Sequence, residues 1–276
     1  MVVSDGLSYT GAASCSGGRL TLSELWRIYR HTLRSGDRCV RVRSRGLFAM
    51  IDRDFGAPEE FADLAPDLDR HMAGGRIMKD IHNSRSTGVS RVSLLGRDVM
   101  VKRYNHKSLA HSVGRTIEGS RAKWSWFRSH VLQAVGIASP RPLALVDICR
   151  GPLVWQSYML YEYVPGRGLD CVLKDDNVQQ EELDATARKV HTLLSSLWDR
   201  HITHGDLKLE NILLGSETAT LIDIDQMRVH LNERLFRVAQ KKDLAMLRHY
   251  LRPFERFESV FADLKGDMFQ FESAAD

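Results

Sequence analysis

The sequence predicts an α+β fold in which strands dominate the first part of the chain and helices the second. A period-two run, Val89-Ser90-Arg91-Val92-Ser93-Leu94-Leu95, turns at Gly96 into Arg97-Asp98-Val99-Met100-Val101-Lys102-Arg103-Tyr104, which reads as two consecutive strands. Between Glu182 and Arg200 the apolar residues Leu183, Ala187, Val190, Leu193, Leu194 and Leu197 recur at helical spacing and define one buried face. With 276 residues, 43% of them apolar, the chain is long enough for two lobes with their own cores.

Taken in order, residues 1–20 are rich in Gly, Ser and Ala and read as a loose leader. Thr21-x-x-Glu24 is a capping box that opens a helix through about Leu33, with Leu22, Leu25, Trp26 and Tyr29 on its apolar face. In Arg38-Cys39-Val40-Arg41-Val42-Arg43-Ser44-Arg45, strand alternation puts Arg41, Arg43 and Arg45 on one side. Such a row of like charges either faces phosphates or is simply solvated, and the sequence leaves both readings open.

Pro58 to Asp69 reads as an acidic linker, followed by Gly74-Gly75 and a strand near Ile77. A helix from about His106 to Val135 interleaves Lys107, Arg115, Arg121, Lys123 and Arg128 with Trp124, Trp126 and Phe127, a mixture that suits an anionic membrane surface as well as a packed core. Trp124 and Trp126 point about 160° apart on a helix, so they cannot both face one core. The phenylalanines of residues 256–276 fit either a short terminal helix or a late-docking tail.

Net charge is +4 with a pI near 8.9, which favours anionic partners and is too weak to indicate nucleic acid. Cys15, Cys39, Cys149 and Cys171 are scattered, as for reduced thiols in cytoplasm, and the eleven histidines form no transition-metal motif. The first residues lack a signal-peptide pattern and no apolar stretch has membrane-spanning length, so the expected location is the cytoplasm, with at most a peripheral hold on a membrane.

The chemistry concentrates in His204-Gly205-Asp206-Leu207-Lys208-Leu209-Glu210-Asn211, with Asp223 twelve residues further on inside Leu221-Ile222-Asp223-Ile224. Two carboxylates, an amide and a lysine at these separations suit phosphoryl transfer, whose loose, charge-rich transition state is stabilised by metal ions and positioned donors. Asp206 would orient an attacking hydroxyl, Lys208 would neutralise charge on the transferred group, and Asn211 and Asp223 would offer hard oxygen ligands to Mg²⁺.

The string resembles the catalytic loop of the protein-kinase-like fold, and the likeness extends upstream. Val99-Met100-Val101-Lys102 resembles the strand whose lysine holds the ATP phosphates, and Tyr158-Met159-Leu160-Tyr161-Glu162-Tyr163-Val164-Pro165-Gly166 resembles the strand that meets the adenine. Asn83-Ser84-Arg85-Ser86-Thr87-Gly88-Val89 stands where the phosphate-covering loop belongs, with Gly88 as its one glycine. The helix that should present a glutamate to Lys102 carries Ser125 there instead, with Glu118 two turns earlier on the same face.

Gly205 replaces the usual arginine of the catalytic triplet, no Ala-Pro-Glu follows, and only 20 residues separate Asp223 from Asp243, which resembles the anchoring aspartate of a C-lobe helix. These departures, with Lys208 retained, Asp223-Ile224-Asp225, and Gly136-Ile137-Ala138-Ser139-Pro140-Arg141-Pro142, are similar to the bacterial lipopolysaccharide core heptose and Kdo kinases.

That resemblance implies a two-lobed fold: an N-terminal extension over 1–75, a β-rich N-lobe and hinge over 76–164, and a mainly helical C-lobe over 165–276. It implies ATP and Mg²⁺ as cofactors, Asp206 and Lys208 as catalytic residues, and Asn211 and Asp223 as metal ligands. Lys102, Glu162, Val164, Gly88 and Glu118 would line the nucleotide site. The implied acceptor is a sugar hydroxyl of the lipopolysaccharide inner core at the inner face of the inner membrane. An atypical Ser/Thr protein kinase, a small-metabolite kinase and a pseudokinase binding module are the alternatives.

Overall fold

The computed structural model describes residues 18–79, 87–105, 119–255 and 257. These divide into two compact units, one holding residues 25–131 and 140–164 and the other the remainder. The α+β expectation is met, because a multi-stranded antiparallel sheet and a set of helices make up most of the described residues, consistent with a kinase-like fold.

Helix α1 (Leu22–Thr32) opens on the expected capping box: the Thr21 amide donates to Glu24 Oε2 at 2.8 Å and the Glu24 amide donates to Thr21 Oγ1 at 3.2 Å. Strands β1 (Cys39–Ser44) and β2 (Leu47–Asp52) form a hairpin. Residues 58–69 are not a linker. They fold into helices α2 (Pro58–Leu64) and α3 (Leu68–Gly74) joined by a 3-10 turn (Ala65–Asp67), and Phe61, Ala65, Leu68 and Met72 are fully or almost fully buried. The acids that suggested solvation lie on the outer face, while the apolar residues at i, i+4, i+7 and i+11 make a helical stripe on the inner one.

Strands β3 (Arg76–Lys79), β4 (Thr87–Leu94), β5 (Arg97–Tyr104), β6 (Pro142–Arg150) and β7 (Leu153–Glu162) complete a seven-stranded antiparallel sheet in the order β1-β2-β6-β7-β5-β4-β3. Leu95 and Gly96 both take positive φ, 51° and 71°, which matches the twist of the β4–β5 hairpin. One sheet face packs on α2 and α3 through Ala49, Ile51, Val92, Val101, Val146 and Leu160. The other face packs Met50, Tyr104, Leu145 and Met159 against Ala122 and Trp126 of helix α4 (Arg121–Ala134). Trp126 is fully buried and its indole donates to Thr32 O at 2.8 Å, whereas Trp124 is 41% exposed, so the two indoles diverge as the helical period requires.

In the second unit, a two-residue strand β8 (Arg167–Gly168) leads into helix α5 (Leu169–Leu173) and then α6 (Gln180–Asp199). All six apolar residues expected on the inner face of α6 are buried there. Strand β9 (Ile202–Thr203) leads into the segment containing Asp206, hairpin β10 (Ile212–Leu214) and β11 (Ala219–Leu221) follows, and β12 (Arg228–Val229) pairs back on β9. Helix α7 (Glu233–Leu251) closes this unit, capped by Asn232, whose side chain accepts from the Leu235 amide at 3.2 Å. Among the described residues, no helix is long and apolar enough to cross a membrane.

Candidate active site

The expected site residues fall into two sets, one in each unit. Asp206, Lys208, Asn211 and Asp223 belong to the helical unit, where a dense hydrogen-bond network holds the loop after β9. The network starts from α7: the Asp243 carboxylate, 2% exposed, accepts from the His204 amide at 2.7 Å and the Gly205 amide at 2.8 Å. Burial pushes the Asp243 carboxyl above the ordinary carboxylate range, and the two amide donors partly oppose that shift.

His204 is completely buried and joins the two halves of the site. Its Nε2 lies 2.9 Å from Ile222 O, and the Asp206 amide donates to its Nδ1 at 3.3 Å. Those partners assign the neutral tautomer with the proton on Nε2, since a carbonyl can only accept and an amide can only donate. One side chain thereby fixes both the backbone of Asp206 and the residue before Asp223.

Gly205 has φ of +80°, and a Cβ built there would lie 2.7 Å from Gln226 O. Gln226 ends the short 3-10 turn Ile224–Gln226 that follows Asp223. The glycine in place of arginine is therefore a steric requirement: the loop can touch the turn behind Asp223 only without a side chain. Sequence reasoning saw the missing cation and had no signal for the contact.

Past Gly205, Lys208 Nζ sits 3.2 Å from Asp206 Oδ1, with both side chains partly open to solvent. The hydrogen bond to Asp206 raises the Lys208 pKa, which keeps the ammonium charged. Asp206 Oδ2 accepts no hydrogen bond among the described residues. Asn211 donates through Nδ2 to Asp206 O at 2.9 Å, so its amide oxygen is turned the other way. The Ile222 amide donates to Asn211 O at 3.0 Å, which extends the β10–β11 ladder to the residue before Asp223.

Asp223 itself is left-handed, with φ 55° and ψ 52°. A non-glycine residue in that conformation costs about 1–3 kcal/mol and persists only where its surroundings impose it, as at ligand sites. Asn211 and the residue before Asp223 are thus paired at one end of a hairpin, and Asn211 and Asp223 each carry a hard oxygen. Two such ligands suffice for Mg²⁺, which takes most of its coordination from water and phosphate oxygens. The donor set therefore fits that ion.

Lys102, Gly88, Glu162 and Val164 belong to the sheet unit. Lys102 is 8% exposed on β5, between Val89 and Met159, with its ammonium 5.6 Å from the Tyr104 ring centroid. Ser125 faces the same strand, with its hydroxyl 3.0 Å from Tyr104 Oη. Glu118 lies outside the described residues, as do Asn83 to Ser86 of the expected phosphate loop. Gly88 lies within β4, opposite Arg103. Around the expected adenine contact, the Glu162 amide is used by Arg141 O at 2.9 Å and the Tyr163 amide by Asp98 O at 3.0 Å. The Val164 amide has no such partner among the described residues.

Compared with known proteins, residues 76–266 match the model of the lipopolysaccharide kinase (Kdo/WaaP) family. A probable serine/threonine-protein kinase KIN1 homolog of Encephalitozoon cuniculi (strain GB-M1) is 26% identical over 158 residues, which is 54% of this chain and 27% of that protein. The family match spans well over half of the sequence, and the chain belongs to the lipopolysaccharide kinase (Kdo/WaaP) family.

Proposed function

We propose that this member of the Kdo/WaaP family is an ATP-dependent kinase that phosphorylates a sugar hydroxyl of the lipopolysaccharide inner core, a heptose or Kdo. The observation that carries the reading is the loop from His204 to Asn211, in which one buried network orients Asp206, Lys208 and Asn211 together. The strand-rich and helical units would serve as the two lobes of a protein-kinase-like enzyme.

In this mechanism Asp206 accepts a hydrogen bond from the sugar hydroxyl through its unoccupied oxygen and aims it at the γ-phosphate. Lys208, held charged by Asp206, steadies the transferring group. Asn211 and Asp223 would hold Mg²⁺, which when bound neutralises charge on the phosphate oxygens. Lys102 would clamp the α- and β-phosphates, with Gly88 above them and Glu118 as its acidic partner. The spare Val164 amide, beside Glu162, would meet the adenine. Trp124 is exposed, with Arg128 at 5.8 Å over its ring, and would suit a peripheral hold on an anionic membrane.

The reading is tested by incubating the protein with γ-labelled ATP, Mg²⁺ and inner-core lipopolysaccharide. Label in the saccharide is expected, and phosphate should be missing from the inner core of cells that lack the gene. A protein-kinase reading is favoured by the named relative, and label appearing on protein alone would replace the sugar acceptor with Ser or Thr. No nucleotide binding and no transfer to anything would leave a pseudokinase.

A further inference from the structure

The β1 edge of the sheet unit carries a cavity of about 580 Å³ that the proposed phosphotransfer residues do not line. Its walls include Tyr29 of α1, Arg41 and Arg43 of β1, Phe48 of β2 and Lys123 of α4, with the β6–β7 turn beside them. None of its lining residues is acidic. The sheet register puts Arg41 in the same cross-strand row as Met50, Leu145, Met159 and Lys102, so the cavity and Lys102 share a sheet face. Four strand spacings separate β1 from β5, roughly 19 Å. The cavity is therefore a different place from the surroundings of Lys102.

Its cations are held in position. Arg41 donates through Nη2 to Leu33 O at the end of α1, which uses one of its five N–H donors. Arg43 lies opposite Phe48 in the hairpin, with its guanidinium 5.5 Å from that ring centroid. Lys123 is 4.8 Å from the same ring and 3.3 Å from the carboxylate of Asp147, which is 1% exposed. Asp147 offsets Lys123, while neither arginine forms an ion pair among the described residues. Two uncompensated guanidiniums on one wall match a phosphate monoester, which carries about two negative charges at neutral pH and accepts forked hydrogen bonds. Tyr29 and Phe48, both half-buried, supply flat apolar surface for the body of a ring-shaped ligand.

We propose that this cavity binds a phosphorylated sugar, with Arg41 and Arg43 gripping the phosphate and Tyr29 and Phe48 flanking the ring. The proposal stands apart from the phosphotransfer reading, because it uses none of the same residues.

The experiment is calorimetric titration of the full chain with hexose 1- and 6-phosphates, and with the parent hexoses and inorganic phosphate as controls. Saturable binding of at least one sugar phosphate is expected, weakened about tenfold or more by Arg41→Gln or Arg43→Gln and by a smaller factor by Arg43→Lys, which keeps the charge and loses the fork. Both arginines are exposed, so the variants should melt with the wild type, and a melt of each checks this. Binding should persist under a saturating non-hydrolysable ATP analogue with Mg²⁺, whatever the outcome of the transfer assay. Absence of binding across the panel would overturn the proposal, as would affinities indifferent to both arginines or displacement by the ATP analogue. Inorganic phosphate binding as tightly as every sugar phosphate would overturn the sugar's part in it.

Discussion

The loop after β9 and the β1 edge of the sheet each collect charge, and in opposite ways. The loop after β9 gathers Asp206, Lys208 and Asn211 within six residues of sequence, and its side chains face partly outward. At the β1 edge of the sheet, Arg41, Arg43, Lys123 and the buried Asp147 come from two strands and a helix spread over more than 100 residues of sequence. A local constellation can be changed without disturbing the fold, because its groups are satisfied by solvent as well as by one another. A constellation assembled across a sheet is also part of the packing, so its buried members serve the fold and any ligand at once.

That contrast can be broken at its strongest point with Asp206→Asn. Loss of the carboxylate should lower phosphoryl transfer about 10²- to 10⁴-fold while the melting temperature stays near that of the wild type. Turnover within a few-fold of wild type, measured with labelled ATP, would remove Asp206 from the chemistry.

Lys123→Met probes the other side. Taking the ammonium from a carboxylate that is 1% exposed should cost about 3 kcal/mol of stability, read by denaturant unfolding. An unchanged midpoint would mean that the sheet edge is as independent of the fold as the loop is.

A smaller effect sharpens the comparison through pH. His130 is fully buried against Trp126, 4.5 Å between ring centroids, and burial, together with the nearby Arg38 and Arg141, lowers its pKa to about 3. A histidine depressed in the folded state contributes its stability in full above pH 6.5 and loses it as the pH falls toward 3. Between pH 7 and pH 5 the loss should be about 2 kcal/mol, and it should vanish in His130→Leu when the two proteins are unfolded in parallel. A wild type that is equally stable at both values would contradict the assignment.

The smallest expected change is at Trp124. Being 41% exposed, its replacement by alanine should cost less than about 1 kcal/mol, against about 3–5 kcal/mol for the buried Trp126, with thermal melts as the measure. Equal losses would show that Trp124 is covered in solution.

Much of the loop could be read from the sequence because its logic is local. Asp206, Lys208 and Asn211 stand at fixed separations along one short segment, and Asp243 was recognisable as the anchor through its resemblance to the aspartate of a C-lobe helix in the protein-kinase-like fold. The double role of His204 and the need for a bare Gly205 could not be read, since both depend on the turn after Asp223 folding back against the loop. The β4–β5 hairpin and the capping box of α1 were legible, whereas α2 and α3 read as a linker because their acids outnumber their core residues. The basic alternation of β1 was visible as well, and Arg41 and Arg43 do share one wall. Arg45 departs from that row by falling in the turn to Gly46.

By itself the sequence determined much that depends on short-range periodicity: the β4–β5 hairpin, the capped start of α1, which side of α6 is buried, and which residues of the loop after β9 travel together. Only the tertiary structure decided which strand lies beside which. Register brings Arg43 to Phe48, Phe48 to Asp147, and Lys123 down from α4 onto both. Cross-strand partners are chosen by packing over the whole sheet, and no local interval in the chain encodes that choice.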